Sequence, residues 1–226
     1  FTENLKVKAL RFFCNYTFSV FLKKNHYLLF INKFLLFLTR NSKSKKMEIR
    51  ITTKMMLQIL HVLSWIIFIG LCVEAGSFLF NAIFTVAFNP LAADYFKLTE
   101  LYQYDYGFFL TQLCLGFIVA VLKALLFFLI VKILHDKKLD FSKPFSQALV
   151  KFVSNLAYLT IFISFFSNWG ANYAKWLASK GINMPDIADL KLDGADIWLF
   201  MGVVLLVIAQ IFKKGVEIQT ENELTI

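Results

Sequence analysis

Four stretches of the chain are almost entirely apolar, and each is long enough to cross a membrane as a helix. They cover about residues 57–84, 107–134, 145–169 and 195–212. A helix crosses the hydrocarbon core of a bilayer with about 20 apolar residues, and a helix is the only open-chain structure that satisfies every backbone hydrogen-bonding group there. A soluble helical protein would instead show polar helix faces, which the segment IVAVLKALLFFLIV lacks. The pattern predicts an all-α integral membrane protein, a bundle of four transmembrane helices.

The positive charge of the chain is confined to its first 46 residues. The formal net charge is +9 at pH 7, and residues 1–46 hold ten Lys and Arg against a single acid, so the remainder is neutral overall. The first methionine is Met47, and the apolar run before it is interrupted by Lys33 and is too short to span a membrane. We favour an over-extended reading frame over a basic leader that targets the chain or binds a membrane surface, and we expect the native chain to start at Met47. Direct binding to nucleic acid is then not expected.

The distribution of basic residues after Met47 predicts the orientation in the membrane. Lys and Arg are more frequent in cytoplasmic segments than in the segments on the other side. Nine of them lie in the amino end, in the loop between the second and third spans and in the tail, whereas four lie in the other two loops. Both termini are therefore predicted to face the cytoplasm. Aromatic residues typical of an outer membrane boundary are Tyr102, Tyr104, Tyr106, Trp169, Trp176 and Trp198.

Two ionisable residues fall inside the predicted spans, Glu74 in the first and Lys123 in the second. Such residues cost about 2.5–3.5 kcal/mol each at the centre of a bilayer, and they commonly pair with each other or mark an ion pathway. If Leu57 and Lys132 are the inner ends of the two helices, Glu74 lies about 12 Å further from the inner side than Lys123 does, at 1.5 Å per residue. The two residues are a candidate proton or ion relay. The simpler interpretation is that Glu74 reaches the outer interface and Lys123 extends inward.

The second outer loop carries the other candidate polar site. Four acids in PDIADLKLDGAD are spaced at three, four and three residues, which on a helix would form one acidic face able to hold Ca²⁺ or a cationic ligand. The residue order of an EF-hand loop is missing, and Gly194 would break such a helix, so a solvated acidic loop is favoured. The four acids are Asp186, Asp189, Asp193 and Asp196.

The segment ANYAKWLASKG precedes these acids and predicts a short amphipathic helix on the outer leaflet. Its residues Tyr173, Trp176 and Leu177 would lie on one apolar helix face. Gly181 then occupies the position of a helix C-cap glycine.

No motif in the chain indicates catalysis or metal binding. The three histidines, His26, His61 and His135, are scattered, and Cys72 and Cys114 lie in apolar runs without the spacing of a zinc site. A phosphate-binding glycine loop and a nucleophile elbow are also missing. We therefore expect no enzymatic activity, no cofactor and no metal.

The carboxyl-terminal segment AQIFKKGVEIQTENELTI resembles the closing signature of a bacterial membrane family catalogued as Domain of Unknown Function 2975. In that family the last span runs into a phenylalanine, a glycine three residues later and an acidic stretch that closes on Leu-Thr-Val or Leu-Thr-Ile. A Pro-Phe-Ser element before the third span also belongs to the family pattern. The matching residues here are Phe212, Gly215, Glu221, Glu223, Leu224, Thr225 and Ile226, with Pro144, Phe145 and Ser146.

This resemblance extends over about residues 47–226. It implies four spans in a bacterial plasma (inner) membrane, and neighbouring genes that encode small helix-turn-helix regulators. It implies no catalytic residue and no ligand.

Two functions remain open from the sequence. The first is a non-enzymatic accessory or sensor, surrounded by the lipid bilayer, whose tail and middle loop contact a soluble cytoplasmic regulator through the residues that carry the resemblance. The second is a small transporter or ion-coupled channel that uses Glu74 and Lys123. No internal repeat or broken helix supports transport, so the first function is favoured.

Overall fold

The computed structural model describes residues 53–87, 90–136 and 146–223. These residues form helices and turns and contain no strand. The helices are α1 (Thr53–Ala87), a 3-10 helix (Pro90–Phe96), α2 (Thr99–Tyr104), α3 (Tyr106–His135), α4 (Gln147–Ser179) and α5 (Ala195–Glu223). Of these, α1, α3, α4 and α5 are long and apolar enough to cross a membrane. The predicted all-α fold with four such helices is confirmed.

Capping side chains and a glycine set the helix ends where the apolar pattern is interrupted. Asp105 caps α3 by accepting a hydrogen bond from the backbone N–H of Phe108 at 2.9 Å, and Ser146 caps α4 through the N–H of Leu149 at 3.2 Å. After α4, Gly181 adopts a φ of 86°, a left-handed conformation that suits glycine. The predicted position of this C-cap glycine is confirmed.

Each long helix packs principally against the next one in the chain, α1 on α3, α3 on α4 and α4 on α5. The inner helices α3 and α4 therefore bury two faces and the outer helices one. In the most apolar 18 residues of each helix, 39% of the window is buried for α3 and for α4, whereas 11% is buried for α1 and for α5. The exposed faces of the outer helices are rich in large apolar side chains such as Ile66, Val73 and Val207, as a surface in contact with lipid requires.

α4 rises well above the start of α5. The Ser164 hydroxyl donates to the carbonyl oxygen of Ala195 at 2.6 Å, so the first residue of α5 lies beside the middle of α4. From there α4 continues to Ser179, about 22 Å further at 1.5 Å per residue. The loop that follows returns along this length, since Leu192 packs so closely on Gly170 that a Cβ there would lie 2.7 Å from the leucine.

We call this end of the molecule the cap; it comprises residues 75–87, 90–120 and 165–194. Most of the buried apolar core lies in the cap, where side chains of α1, the 3-10 helix, α2, α3, α4 and the returning loop meet. Phe78 and Phe96 stack there with ring centroids 4.4 Å apart. The other core residues of the cap include Leu98, Leu101, Phe109, Leu113, Ala174, Leu177, Leu190 and Leu192.

The predicted separate amphipathic helix is wrong. Residues 171–179 continue α4 without a break, so the helix is longer than the predicted span of 145–169. Ala174 and Leu177 are buried in the cap core rather than turned toward a membrane surface. The burial of this face explains why the helix continues through a segment that is too polar for hydrocarbon.

Candidate functional site

Glu74 and Lys123 lie at nearly the same height along the bundle. The rings of His61 on α1 and His135 on α3 are 5.8 Å apart, which places these two residues opposite each other. Glu74 follows His61 by 13 residues and Lys123 precedes His135 by 12, so both stand about 18–20 Å above that contact. We call the end of the bundle opposite the cap, where α5 ends, the tail end. The predicted height difference of about 12 Å is wrong, because α1 extends further than α3 at the tail end.

The Lys123 side chain points toward the cap and not inward as predicted. Its ammonium donates to the backbone carbonyl oxygen of Lys191 at 3.0 Å, in the returning loop. The negative charges of Glu74 and Asp193 act on this ammonium, and the positive charge of Lys191 opposes them. Among the described residues, no ion pair within 4 Å joins Glu74 to Lys123. Lys123 thus holds the loop and does not form one half of a salt bridge.

Two further polar contacts join the segment between α1 and α3 to the returning loop. Lys97 forms a salt bridge with Asp189 at 2.7 Å, and the Glu100 carboxylate accepts a hydrogen bond from the backbone N–H of Asn183 at 3.0 Å. The hydrogen bond to Asp189, together with the negative charges of Asp189 and Asp186, raises the pKa of Lys97 above its ordinary value. These contacts fix the returning loop to the segment between α1 and α3 within the cap.

The four acids at the end of the returning loop and the start of α5 do not share a helix face. Asp186, Asp189 and Asp193 lie in the loop, and Asp196 lies in the first turn of α5. All four are exposed, and Asp189 is paired with Lys97. Within the described ranges, no group of three or more potential metal-ligating side chains is found. The arrangement is that of a solvated acidic loop.

At the tail end, α5 continues past the first residue of α4. Gly202 of α5 lies against Ala157 and Ile161 of α4. Glu223 is 21 residues beyond Gly202, whereas α4 begins 10 residues before Ala157 and 14 before Ile161. The helix therefore extends about 10–16 Å beyond that first residue at 1.5 Å per residue. We call residues 213–223 the α5 extension.

The candidate contact residues from the sequence fall at this end, as far as the structure describes them. Phe212 and Gly215 are half-buried on one face of α5, and Glu223 is its last residue. Ser146 is the N-cap of α4 and so has a structural role. Five of the predicted residues lie outside the described ranges: Pro144, Phe145, Leu224, Thr225 and Ile226.

The structure also brings together side chains that the sequence had left scattered. The imidazoles of His61 and His135 meet between α1 and α3, and the indole N–H of Trp65 donates to Nε2 of His61 at 3.0 Å. The His61–Trp65 spacing of four residues on a helix is visible in the sequence. The contact with His135 is not, because it depends on the register between two helices that are distant in the chain.

The comparison with protein families agrees with the resemblance of the tail. The family model described as Protein of unknown function (DUF2975) matches residues 95–226, more than half of the chain. The match begins in the 3-10 helix and includes α2 to α5, a shorter range than the predicted 47–226. No curated protein and no solved structure matches the chain. The chain belongs to the DUF2975 family of proteins of unknown function.

Proposed function

We propose that this protein is a non-enzymatic accessory or sensor of the bacterial plasma membrane, with both termini in the cytoplasm, and that its α5 extension binds a soluble partner protein. The observation that carries the proposal is the length of α5. The apolar stretch of the last span ends near Phe212, but the helix continues through Glu223. A helix that only crosses the membrane does not need this polar extension.

The surface of the α5 extension is suited to a protein contact. Its exposed side chains are mostly polar or charged, and Lys214 pairs with Glu217 at 3.1 Å along the helix. Ile218 is the exception, a large apolar side chain that is 49% exposed among polar neighbours. A helix of this kind can place an apolar anchor in a groove of a partner while charged residues around it fix the orientation.

The charge distribution supports a cytoplasmic location for this end. Lys132 of α3, Lys151 of α4, and Lys213 and Lys214 of α5 are exposed near it, and Lys and Arg favour the cytoplasmic side. The family resemblance suggests a small helix-turn-helix regulator as the partner, since such regulators are the expected products of neighbouring genes. The partner would then bind the membrane protein on the side where transcription takes place.

The test measures binding of the purified neighbouring regulator to the full chain in lipid nanodiscs. We expect Ile218→Glu to weaken binding about tenfold or more, as loss of an apolar anchor does. Thr220→Glu is the matched control, because it adds the same charge on the same helix about 200° away, and it should leave the affinity nearly unchanged. Deletion of residues 216–226 should abolish binding while membrane insertion is retained. Equal affinity of the parent, the Ile218→Glu chain and the deleted chain would contradict the proposal.

One observation favours the alternative, a small transporter or ion-coupled channel. Glu74 and Lys123 stand at the same height in adjacent helices, as a relay would require. The alternative predicts that Glu74→Gln and Lys123→Met each abolish an ion or proton flux in proteoliposomes. A flux that neither substitution changes, or no flux in the parent, would exclude it.

A further inference from the structure

His61 and His135 form a two-imidazole cluster where α1 meets α3 at the tail end. Their ring centroids are 5.8 Å apart and the rings are inclined at 51°. Nε2 of His61 also accepts the hydrogen bond from the indole of Trp65 at 3.0 Å. This bond requires a neutral His61, because a protonated imidazole offers two donors and no lone pair.

The surroundings of the two histidines differ. His135 is exposed and is the last residue of α3. His61 is half-buried, and no charged residue lies between Met55 and Trp65 on its own helix. A proton on His61 would end the Trp65 hydrogen bond, and with His135 also protonated it would place two positive charges side by side.

Other charged groups at this end modify the effect without reversing it. On α3, Lys132 adds to the positive charge and Asp136 opposes it. On α4, the exposed Lys151 near the start of the helix adds a further positive charge. The proton on His61 remains unfavourable, because the loss of its bond to Trp65 does not depend on these neighbours.

We propose that protonation of His61 is a pH-sensitive switch that loosens the contact between α1 and α3 at the tail end. The contact is complete when both imidazoles are neutral. It weakens as the pH falls through the range in which histidine changes charge, about pH 8 to 5. The switch does not depend on the function proposed above, since it concerns the packing of the two helices and not the α5 extension.

Trp65 itself reports the event. In the full chain with Trp169→Phe, Trp176→Phe and Trp198→Phe, Trp65 is the one remaining tryptophan, and its emission can be followed in nanodiscs from pH 8 to pH 5. We expect a reversible shift of the emission to longer wavelength as water reaches the indole. His61→Asn keeps an acceptor that does not titrate, and it should remove the transition while leaving the spectrum at pH 8 unchanged. His135→Asn should retain the transition and move its midpoint to higher pH, because the opposing charge is gone.

Three results would overturn the proposal. The first is a transition that persists in His61→Asn, which would assign it to another group. The second is a change of intensity without a shift in wavelength, which would mean protonation without loosening. The third is an unchanged midpoint in His135→Asn, which would show that the two histidines do not act on each other.

Discussion

The cap and the rest of the helical bundle are stabilised in different ways, although the same long helices form both. In the cap, side chains from α1, the 3-10 helix, α2, α3, α4 and the returning loop form a shared core. Toward the tail end the helices meet in pairs, and large apolar side chains remain exposed on α1 and α5. The cap therefore has the packing of a soluble domain, whereas the other half has the surface of a membrane domain.

Helix lengths lead to the same division. α4 has 33 residues, about 50 Å at 1.5 Å per residue, whereas the hydrocarbon core of a bilayer is about 30 Å thick. The start of α5 beside Ser164 and the exposed polar residues Asn168, Asn172 and Lys175 above it place the boundary near the base of the cap. We expect the cap to stand outside the hydrocarbon. Large apolar side chains nevertheless remain exposed in the cap, at Ile83 and Val86 of α1 and at Phe165, Trp169 and Trp176 of α4.

The largest effect should follow from removing a side chain of the cap core. Phe78 is 1% exposed and stacks on Phe96. We expect Phe78→Ala to lower the free energy of unfolding by about 3–5 kcal/mol, through lost burial and a cavity. Ile83→Ala is the matched control on the same helix, because Ile83 is 55% exposed, and it should change the value by less than about 0.5 kcal/mol. Reversible denaturation in mixed micelles measures both. Equal effects would mean that the cap has no core of its own.

The smallest effect should come from the salt bridge between Lys97 and Asp189 at the surface of the cap. The pKa of Lys97 is raised in the folded state, so its contribution is present below the pKa of the unfolded chain and is lost as the pH rises through the folded value. Both residues are exposed, and the contribution is correspondingly small. The stability difference between the parent and Lys97→Met should disappear above the ordinary lysine range. A difference that persists at strongly alkaline pH would assign it to packing of the side chain.

Much of the fold could be predicted from the sequence because lipid imposes a simple rule on it. Every span must be an apolar helix, so the positions of α1, α3, α4 and α5 follow from apolar length alone. The cap does not follow from that rule. Its residues 171–179 are amphipathic, and a short surface helix satisfies their pattern as well as a continuation of α4 does. Only the buried positions of Ala174 and Leu177 decide between the two.

The polar sites were harder to predict, because they depend on the register between helices. Glu74 and Lys123 were recognised from the cost of a charge in lipid, but their relative height depended on which residues lie opposite each other. The hydrogen bond from Lys123 to the carbonyl oxygen of Lys191 forms only because the loop returns about 20 Å along α4. No local sequence pattern predicts this return. The pairing of His61 with His135 has the same origin.

The most direct test of this division is the depth of α4 in the bilayer. Single spin labels at exposed positions along the helix, in a chain without native cysteines, report contact with lipid-soluble oxygen or with a water-soluble nickel chelate. We expect oxygen to dominate at Tyr158 and Phe162 and the nickel chelate at Asn172 and Trp176, with the change near Trp169. Oxygen dominance through Trp176 would place the cap inside the membrane and contradict the expected division.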